Sequence, residues 1–252
     1  MQSYGEKISC AVALFREAKW ISAFTGAGIS TESGISDFRS KGGVWDRYRI
    51  VTYQEFLSSH DARVEYWQMK KELFNEMKDA KPNKAHMALA ELEKMNKLQS
   101  LITQNIDGLH QDAGSSNIIE LHGTNRKAVC LSCGKMWPIE DIQGLLEKGE
   151  RDPSCDECSG FIKPATVSFG QSMPEQEMIR AFDCAVRSDL LLMIGSSLQV
   201  EPAASIPREA HRTGAKLIYI NRTPTPSDNL AGILFQEDAG DVVTEIVNEL
   251  KK

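Results

Sequence analysis

The sequence predicts an α/β fold: a parallel sheet covered by helices on both faces, with a small cysteine-bearing segment inserted into it. Three observations predict this. Apolar runs without polar alternation recur along the chain with helix-forming stretches between them, which is how strands buried on both faces read. Each run stops at small or amide-bearing residues, as strands do where a parallel sheet opens onto a ligand crevice. Cys130-x-x-Cys133 and Cys155-x-x-Cys158 are separated by 21 residues, a spacing at which two knuckles close on one metal ion.

The elements follow in order. Residues 5–18 place Ile8, Val12, Leu14 and Phe15 at helical spacing, an amphipathic helix. Trp20 to Thr25 reads as a buried strand running straight into Gly26-Ala27-Gly28. Residues 41–82 are more polar and rich in aromatics (Trp45, Tyr48, Tyr53, Phe56, Tyr66, Trp67), which suits several short helices or an ordered loop. Residues 84–97 are a helix by propensity, and Leu101 to Gln104 a strand stopping at Asn105-Ile106-Asp107. Beyond the cysteines, residues 174–187 form a helix opened by Pro174, and Asp189 to Ile194 a buried strand ending at Gly195-Ser196-Ser197. Pro202 to Thr213 is expected as a helix, Lys216 to Ile220 as a strand ending at Asn221, and Asp241 to Lys251 as the closing helix. The expected division is a large part at 1–40, 86–125 and 165–252, a helical segment at 41–85, and an inserted module at 126–164.

A net charge of −6 argues against a nucleic-acid binder working through bulk charge. No apolar run reaches the roughly 18 residues of a membrane helix. The start, Met1 to Lys7, lacks a basic region followed by an apolar one, so a cytoplasmic location is expected. In a reducing compartment paired cysteines indicate a metal before a disulfide. Cys130, Cys133, Cys155 and Cys158 are all thiolate ligands and leave no open position for a substrate water, so one structural zinc is expected. It would fold a segment of about 39 residues that is too small for its own core.

Glycine at a strand end lets backbone N–H groups approach a pyrophosphate, and a helix N-terminus behind it favours the negative charge. The dehydrogenase fingerprint is nevertheless absent. The third glycine of Gly-x-Gly-x-x-Gly would fall at Thr31, and Asp46, near the usual ribose-binding spacing, sits among Trp45, Arg47 and Tyr48. Hydride transfer is therefore disfavoured. Asp37 and Arg39 in the following loop suit a phosphate or a ribose. His122, in Glu120-Leu121-His122-Gly123-Thr124, is a candidate general base because imidazole titrates near neutrality.

Taken together, Gly26-Ala27-Gly28-Ile29-Ser30, Ser33-Gly34-Ile35-Ser36-Asp37-Phe38-Arg39, Thr103-Gln104-Asn105-Ile106-Asp107, Leu121-His122-Gly123, the paired cysteines, Phe169-Gly170, Gly195-Ser196-Ser197-Leu198 and Asn221 closely resemble the sirtuin family of NAD-dependent protein-lysine deacylases. The match runs from about residue 20 to residue 245 in family order. The resemblance implies a Rossmann-like large domain with a small zinc-binding and helical lobe, residues 41–85 including the cofactor loop. It implies NAD as co-substrate and acyl-lysine proteins or peptides as partners, entering between the lobes. His122 would be the base, so that the acyl group passes to ADP-ribose and the products are free lysine, nicotinamide and O-acyl-ADP-ribose. Asn105 and Asp107 would orient ribose and nicotinamide, and Gln104 the hydroxyls. Further cofactor contacts are implied at Gly26, Ala27, Gly28, Ser30, Thr31, Glu32, Asp37, Phe38, Arg39, Trp45 and Ile106, and at Gly195, Ser196, Ser197, Asn221, Arg222, Thr223 and Ala239. Phe169, Gly170, Leu198, Val200 and Glu201 would clamp the peptide backbone as an added strand.

Three departures from the family pattern stand out. Ser36 replaces the usual Pro and Ser40 a common Gly; Gln171 replaces the usual Glu after Phe-Gly. Desuccinylating members carry Tyr-x-x-Arg in the helical segment, where this chain offers Tyr66-x-x-Met69 or Gln68-x-x-Lys71. Methionine cannot pair with a carboxylate and lysine does so only as a point charge, so neutral acyl groups are favoured. A mono-ADP-ribosyltransferase, a non-catalytic NAD sensor and a zinc-ribbon nucleic-acid binder are the rival readings.

Overall fold

The computed structural model describes residues 2–38 and 42–252. Its strands are β1 (Ile21–Thr25), β2 (Ser100–Thr103), β3 (Ile118–Glu120), β4 (Gly123–Cys130), β5 (Met136–Pro138), β6 (Ile162–Thr166), β7 (Leu190–Ile194), β8 (Lys216–Ile220) and β9 (Ile233–Phe235). Its helices are α1 (Tyr4–Glu17), α2 (Val44–Arg47), α3 (Tyr53–Ser58), α4 (His60–Met77), α5 (Lys84–Lys94), α6 (Leu109–Asp112), α7 (Ile139–Glu147), α8 (Glu175–Arg187), α9 (Ser205–Arg212) and α10 (Ala239–Leu250).

Six strands form a parallel sheet in the order β3-β2-β1-β7-β8-β9. The chain winds outward from β1 in one direction and from β7 in the other, so a crevice opens beyond the carboxyl ends of these two central strands. Their burial explains the unbroken apolar runs. Every residue of β1 and β7 is buried. Leu190, Leu192 and Ile194 pack with Phe15, Leu89 and Ile246 beneath α1, α5 and α10, while Leu191 and Met193 pack with Ala181, Ala185 and Ile206 of α8 and α9. Each such side chain contributes about 1.5–3 kcal/mol of transfer free energy. The buried hydroxyls of β1 are satisfied internally: Ser22 pairs with Ser100 at 2.8 Å and Ser188 at 2.7 Å.

The second sheet is antiparallel, in the order β5-β4-β6. With α7 it builds a core of Ala128, Cys130, Ile139, Ile142, Leu146 and Ile162 that Trp67 of α4 completes. The segment expected as short helices or a loop instead contains one helix of 18 residues, α4, preceded by the short α2 and α3. The periodicity was hidden because α4 buries two flanks: Trp67 faces the cysteine-bearing module, while Ala62, Tyr66, Met69 and Leu73 pack with Val44, Val51 and Phe56. Arg63 pins α4 to that module, its Nε 2.9 Å from Asp152 and its guanidinium 3.8 Å from the Phe161 ring centroid.

Behind β1 and β2, His86 and His110 lie with ring centroids 4.8 Å apart, and His110 Nε2 meets Thr25 Oγ1 at 3.0 Å. Both are buried, and His86 Nε2 and His110 Nδ1 have no hydrogen-bond partner among the described residues. Burial pulls the His86 pKa down to about 4 against an opposing pull from Asp107. Burial, with His86 as neighbour, pulls His110 down to about 3. Both folded values lie below the unfolded value, so the unfolded chain binds the extra protons and stability falls as pH drops below about 6.5. Each histidine is expected to cost about 2 kcal/mol by pH 5. Urea unfolding at pH 7.5 and pH 5 tests this; equal stabilities would show that the pair is not held neutral.

Candidate active site

The carboxyl ends of β1, β2, β7 and β8 meet in a polar cavity. It is lined by Gly26, Ala27, Gly28, Asp37, Phe38, Gln104, Asn105, His122, Gly195, Ser196, Ser197, Val200, Asn221 and Thr223. Two loops touch backbone to backbone at its floor. Gly28 N–H donates to Gly195 O at 2.8 Å, and a Cβ on Gly28 would stand 2.8 Å from Gly195 Cα. Gly195 itself has φ +63°, so glycine is required on both sides of the contact. The helix expected behind these glycines is a short 3₁₀ helix, Ala27–Ser33, that ends at Gly34 with φ +83°. The backbone of Gly26, Ala27 and Gly28, rather than the end of a long helix, borders the cavity.

A hydrogen-bond chain fixes the turn after β2. Asn105 Nδ2 donates to Ser30 Oγ at 3.1 Å, and Ser30 Oγ donates to Asp107 Oδ2 at 2.7 Å. Asp107 Oδ1 accepts from Leu109 N–H at 2.9 Å. Gln104 Nε2 donates to Ser196 Oγ at 2.8 Å and ties the ends of β2 and β7 together. His122 Nδ1 stands 2.9 Å from Gln104 O. A carbonyl oxygen only accepts, so Nδ1 carries the proton and Nε2 of the neutral ring is the basic nitrogen.

His122 also lines a second, mostly apolar cavity with Phe38, Trp45, Ile50, Val51, Tyr66, Lys70, Ile106, Val167, Phe169, Gly170, Met173, Val200, Glu201 and Pro202. Phe38 and Trp45 stack at 5.3 Å and Trp45 meets Phe169 at 5.7 Å. The backbone of the loop is closed at its base, where Val44 N–H donates to Asp37 O and Trp45 N–H to Phe38 O. The Gln171 side chain accepts from Ser168 N–H at 3.1 Å, turning inward on its own loop.

Some expected contacts stand apart from both cavities. Thr31 Oγ1 donates to Gly28 O, Glu32 caps α10 through Gly240 N–H, and Arg222 pairs with Asp238 beside Ala239. Leu198 is buried beneath α8 and α9. Arg39 and Ser40 lie outside the described residues. The residues overlooked in the sequence are Ile50, Val51, Lys70, Thr166, Val167, Ser168, Met173 and Pro202. Once α4 is one continuous helix, Tyr66 and Lys70 share a face at i, i+4. Of the alternatives open in the sequence, Met69 is buried against Phe56 and its neighbours, and Lys71 Nζ donates to Leu146 O. Burial raises the Tyr66 pKa, but Lys70 and Lys163 outweigh it and hold the phenol at about 8.

The four cysteines of the small module form one cluster, their Sγ atoms all within 4.8 Å of one another. Cys130 and Cys158 stand 3.4 Å apart, Cys133 and Cys155 3.7 Å. A tetrahedral zinc with bonds of about 2.3 Å has edges of about 3.8 Å, so this donor set fits the ion in size and chemistry.

Residues 26–202 match the model of the Sir2 family. An NAD-dependent protein deacetylase of Thermodesulfovibrio yellowstonii is 53% identical over 99% of this chain and 97% of its own length. The NAD-dependent protein deacetylase of Saccharolobus solfataricus is 42% identical over 91% and 92%. Among solved structures, a Sir2 mutant with deacetylated p53 peptide and 3′-O-acetyl ADP-ribose superposes with a TM-score of 0.91 at 37% identity, covering 96% of this chain and 98% of that one. A Sir2–p53 peptide–NAD complex gives 0.87 at 36% identity, with 96% and 98% covered. With the doubly wound sheet, the glycine-floored cavity and the cysteine cluster already in place, these likenesses make the chain a member of the Sir2 family.

Proposed function

We propose that the protein is an NAD-dependent protein-lysine deacylase releasing nicotinamide, O-acyl-ADP-ribose and free lysine. One observation carries this: His122, oriented by the Gln104 carbonyl, lines both the polar cavity and the apolar one. The polar cavity suits NAD and the apolar one the acyl-lysine. When bound, NAD supplies a C1′–nicotinamide bond whose cleavage leaves a cation-like ribose.

The residues of this chain are matched to that demand. Neutral amides of Gln104 and Asn105, with the Asp107 carboxylate on the same turn, stabilise a developing cation better than a ring of arginines would. The Asn105–Ser30–Asp107 chain holds them without reorganisation. Gly26 and Gly28 meet the phosphates, and Gly195, Ser196 and Asn221 the adenosine half. Phe38 and Trp45 exclude water over the reacting carbon. His122 Nε2 takes the proton of a ribose hydroxyl. Phe169, Gly170, Val200 and Glu201 border the entrance and receive the peptide backbone. In this reading residues 1–40, 86–125 and 165–252 carry the cofactor and 126–164 the zinc.

Incubation with an acetyl-lysine peptide, with and without NAD, followed by mass spectrometry is the test. NAD-dependent loss of acetyl with O-acetyl-ADP-ribose formed is the expected result; an ADP-ribosylated protein instead would make the enzyme a transferase.

The acyl group is neutral in this reading. The apolar walls around His122 include Phe38, Ile50, Val51, Ile106, Val167 and Met173; the one carboxylate of the lining among the described residues is Glu201, and Lys70 is a single ammonium over the Tyr66 ring at 5.4 Å, without the fork that grips a carboxylate. A succinyl-lysine peptide is expected to show kcat/KM at least about tenfold below its acetyl counterpart, the loss of about 1.4 kcal/mol of transition-state binding. Equal values would place acidic acyl groups among the substrates.

A further inference from the structure

The turn that carries Asn105 and Asp107 is gripped from outside the cleft. Two successive carbonyls of that turn accept hydrogen bonds from β4: Ile106 O from Asn125 N–H at 2.8 Å, and Asp107 O from Arg126 Nε at 3.3 Å. The rest of the Arg126 guanidinium forks onto the Asp112 carboxylate of α6, with Nη1 2.9 Å from Oδ1 and Nη2 on Oδ2. It lies against Gly108, φ +74°, where a Cβ would collide with it. The sheet makes room for this grip. Pairing of β4 with β6 shifts register between Gly123 and Ala128, which takes Asn125 and Arg126 out of that ladder and re-aims them.

We infer that Arg126 is a positioning residue for the NAD step. Like Asp107, it lines neither cavity of the cleft; both border a third cavity with Asp112 and Asn125, so Arg126 acts through the turn. Ser30 and Leu109 N–H hold the Asp107 carboxylate, and Arg126 holds the carbonyl of the same residue. Gly108 has no Cβ to limit rotation of the peptide that follows. With the guanidinium removed, that peptide turns and the carboxylate leaves the Ser30 hydroxyl, loosening Asn105 with it. The strand bearing Arg126 ends at Cys130, so the small module is registered to the turn through β4. The Arg126 side chain is 45% exposed and its ion pair adds little to stability, so loss of function should separate from loss of fold.

This inference rests on the deacylase reading. Its test compares wild type, Arg126→Ala and Arg126→Gln by calorimetric titration with NAD, by steady-state kinetics in each substrate, and by melting temperature and zinc content. Arg126→Ala is expected to raise the Kd and KM for NAD about tenfold while the KM for the acetyl peptide stays within about twofold, at unchanged melting temperature and zinc content. A change of that size matches the loss of one charge-assisted hydrogen bond. Arg126→Gln, which keeps one N–H for the Asp107 carbonyl, should fall between the two; it carries the same test alone if the alanine variant does not fold. Wild-type NAD binding in both variants would overturn the inference, as would equal losses for NAD and peptide. Wild-type protein that neither binds NAD nor turns over the peptide would instead sink the deacylase reading itself.

Discussion

Replacing His122 by alanine is expected to lower NAD-dependent deacylation by about 10²–10⁴-fold, the range for removal of a positioned general base. Nδ1 is committed to the Gln104 carbonyl, and the ring stands where the polar and apolar cavities meet. Gln104 is itself anchored to Ser196 across the sheet, so the imidazole is aimed by backbone at the end of β2 rather than by a mobile side chain. The fold should survive, because the sheet core does not include His122. The check is kcat/KM for acetyl peptide beside a circular dichroism melt. Activity within tenfold of wild type would remove His122 from the base role.

Replacing Cys130 by alanine should act on stability first. Without four thiolates the ion is lost, and structural zinc supplies folding free energy outright in modules of this size. The module's own core is a handful of residues, among them Cys130 and Cys155, and it borrows Trp67 from α4. Losing the ion therefore unseats α4 as well, and with it Tyr66 and Lys70 at the cleft. A loss of several kcal/mol lowers the melting temperature by about 10 °C or more in a chain of this length. Metal analysis and a thermal melt read both effects. Unchanged zinc content and melting temperature would dismiss the zinc assignment.

How far the sequence carries the reader depends on whether a residue's environment is set locally. Leu190–Ile194 is legible as a central strand because both of its faces are buried whatever lies beside it. The cysteine pairs are legible because two Cys-x-x-Cys knuckles at this spacing can close on one four-thiolate ion. Strands β3 and β9, three residues each, escaped notice: they form only because β2 and β8 offer open edges to pair with. Helix α4 was hidden for the opposite reason, its apolar residues being shared between two cores rather than lying on one stripe.

The sequence by itself thus determined the α/β class, the succession of buried strands with polar ends, the four cysteines that cluster and the family resemblance, since each depends on residue type and spacing along the chain. The tertiary structure alone decided that Lys70 rather than Met69 or Lys71 faces the cleft, that the segment after Gly26 is 3₁₀, and that His122 is held by the Gln104 carbonyl. It alone decided that Arg126 reaches back to the Asp107 carbonyl. Those features arise from groups far apart in the chain meeting at a strand end, and no local pattern encodes a contact whose partner is supplied by folding.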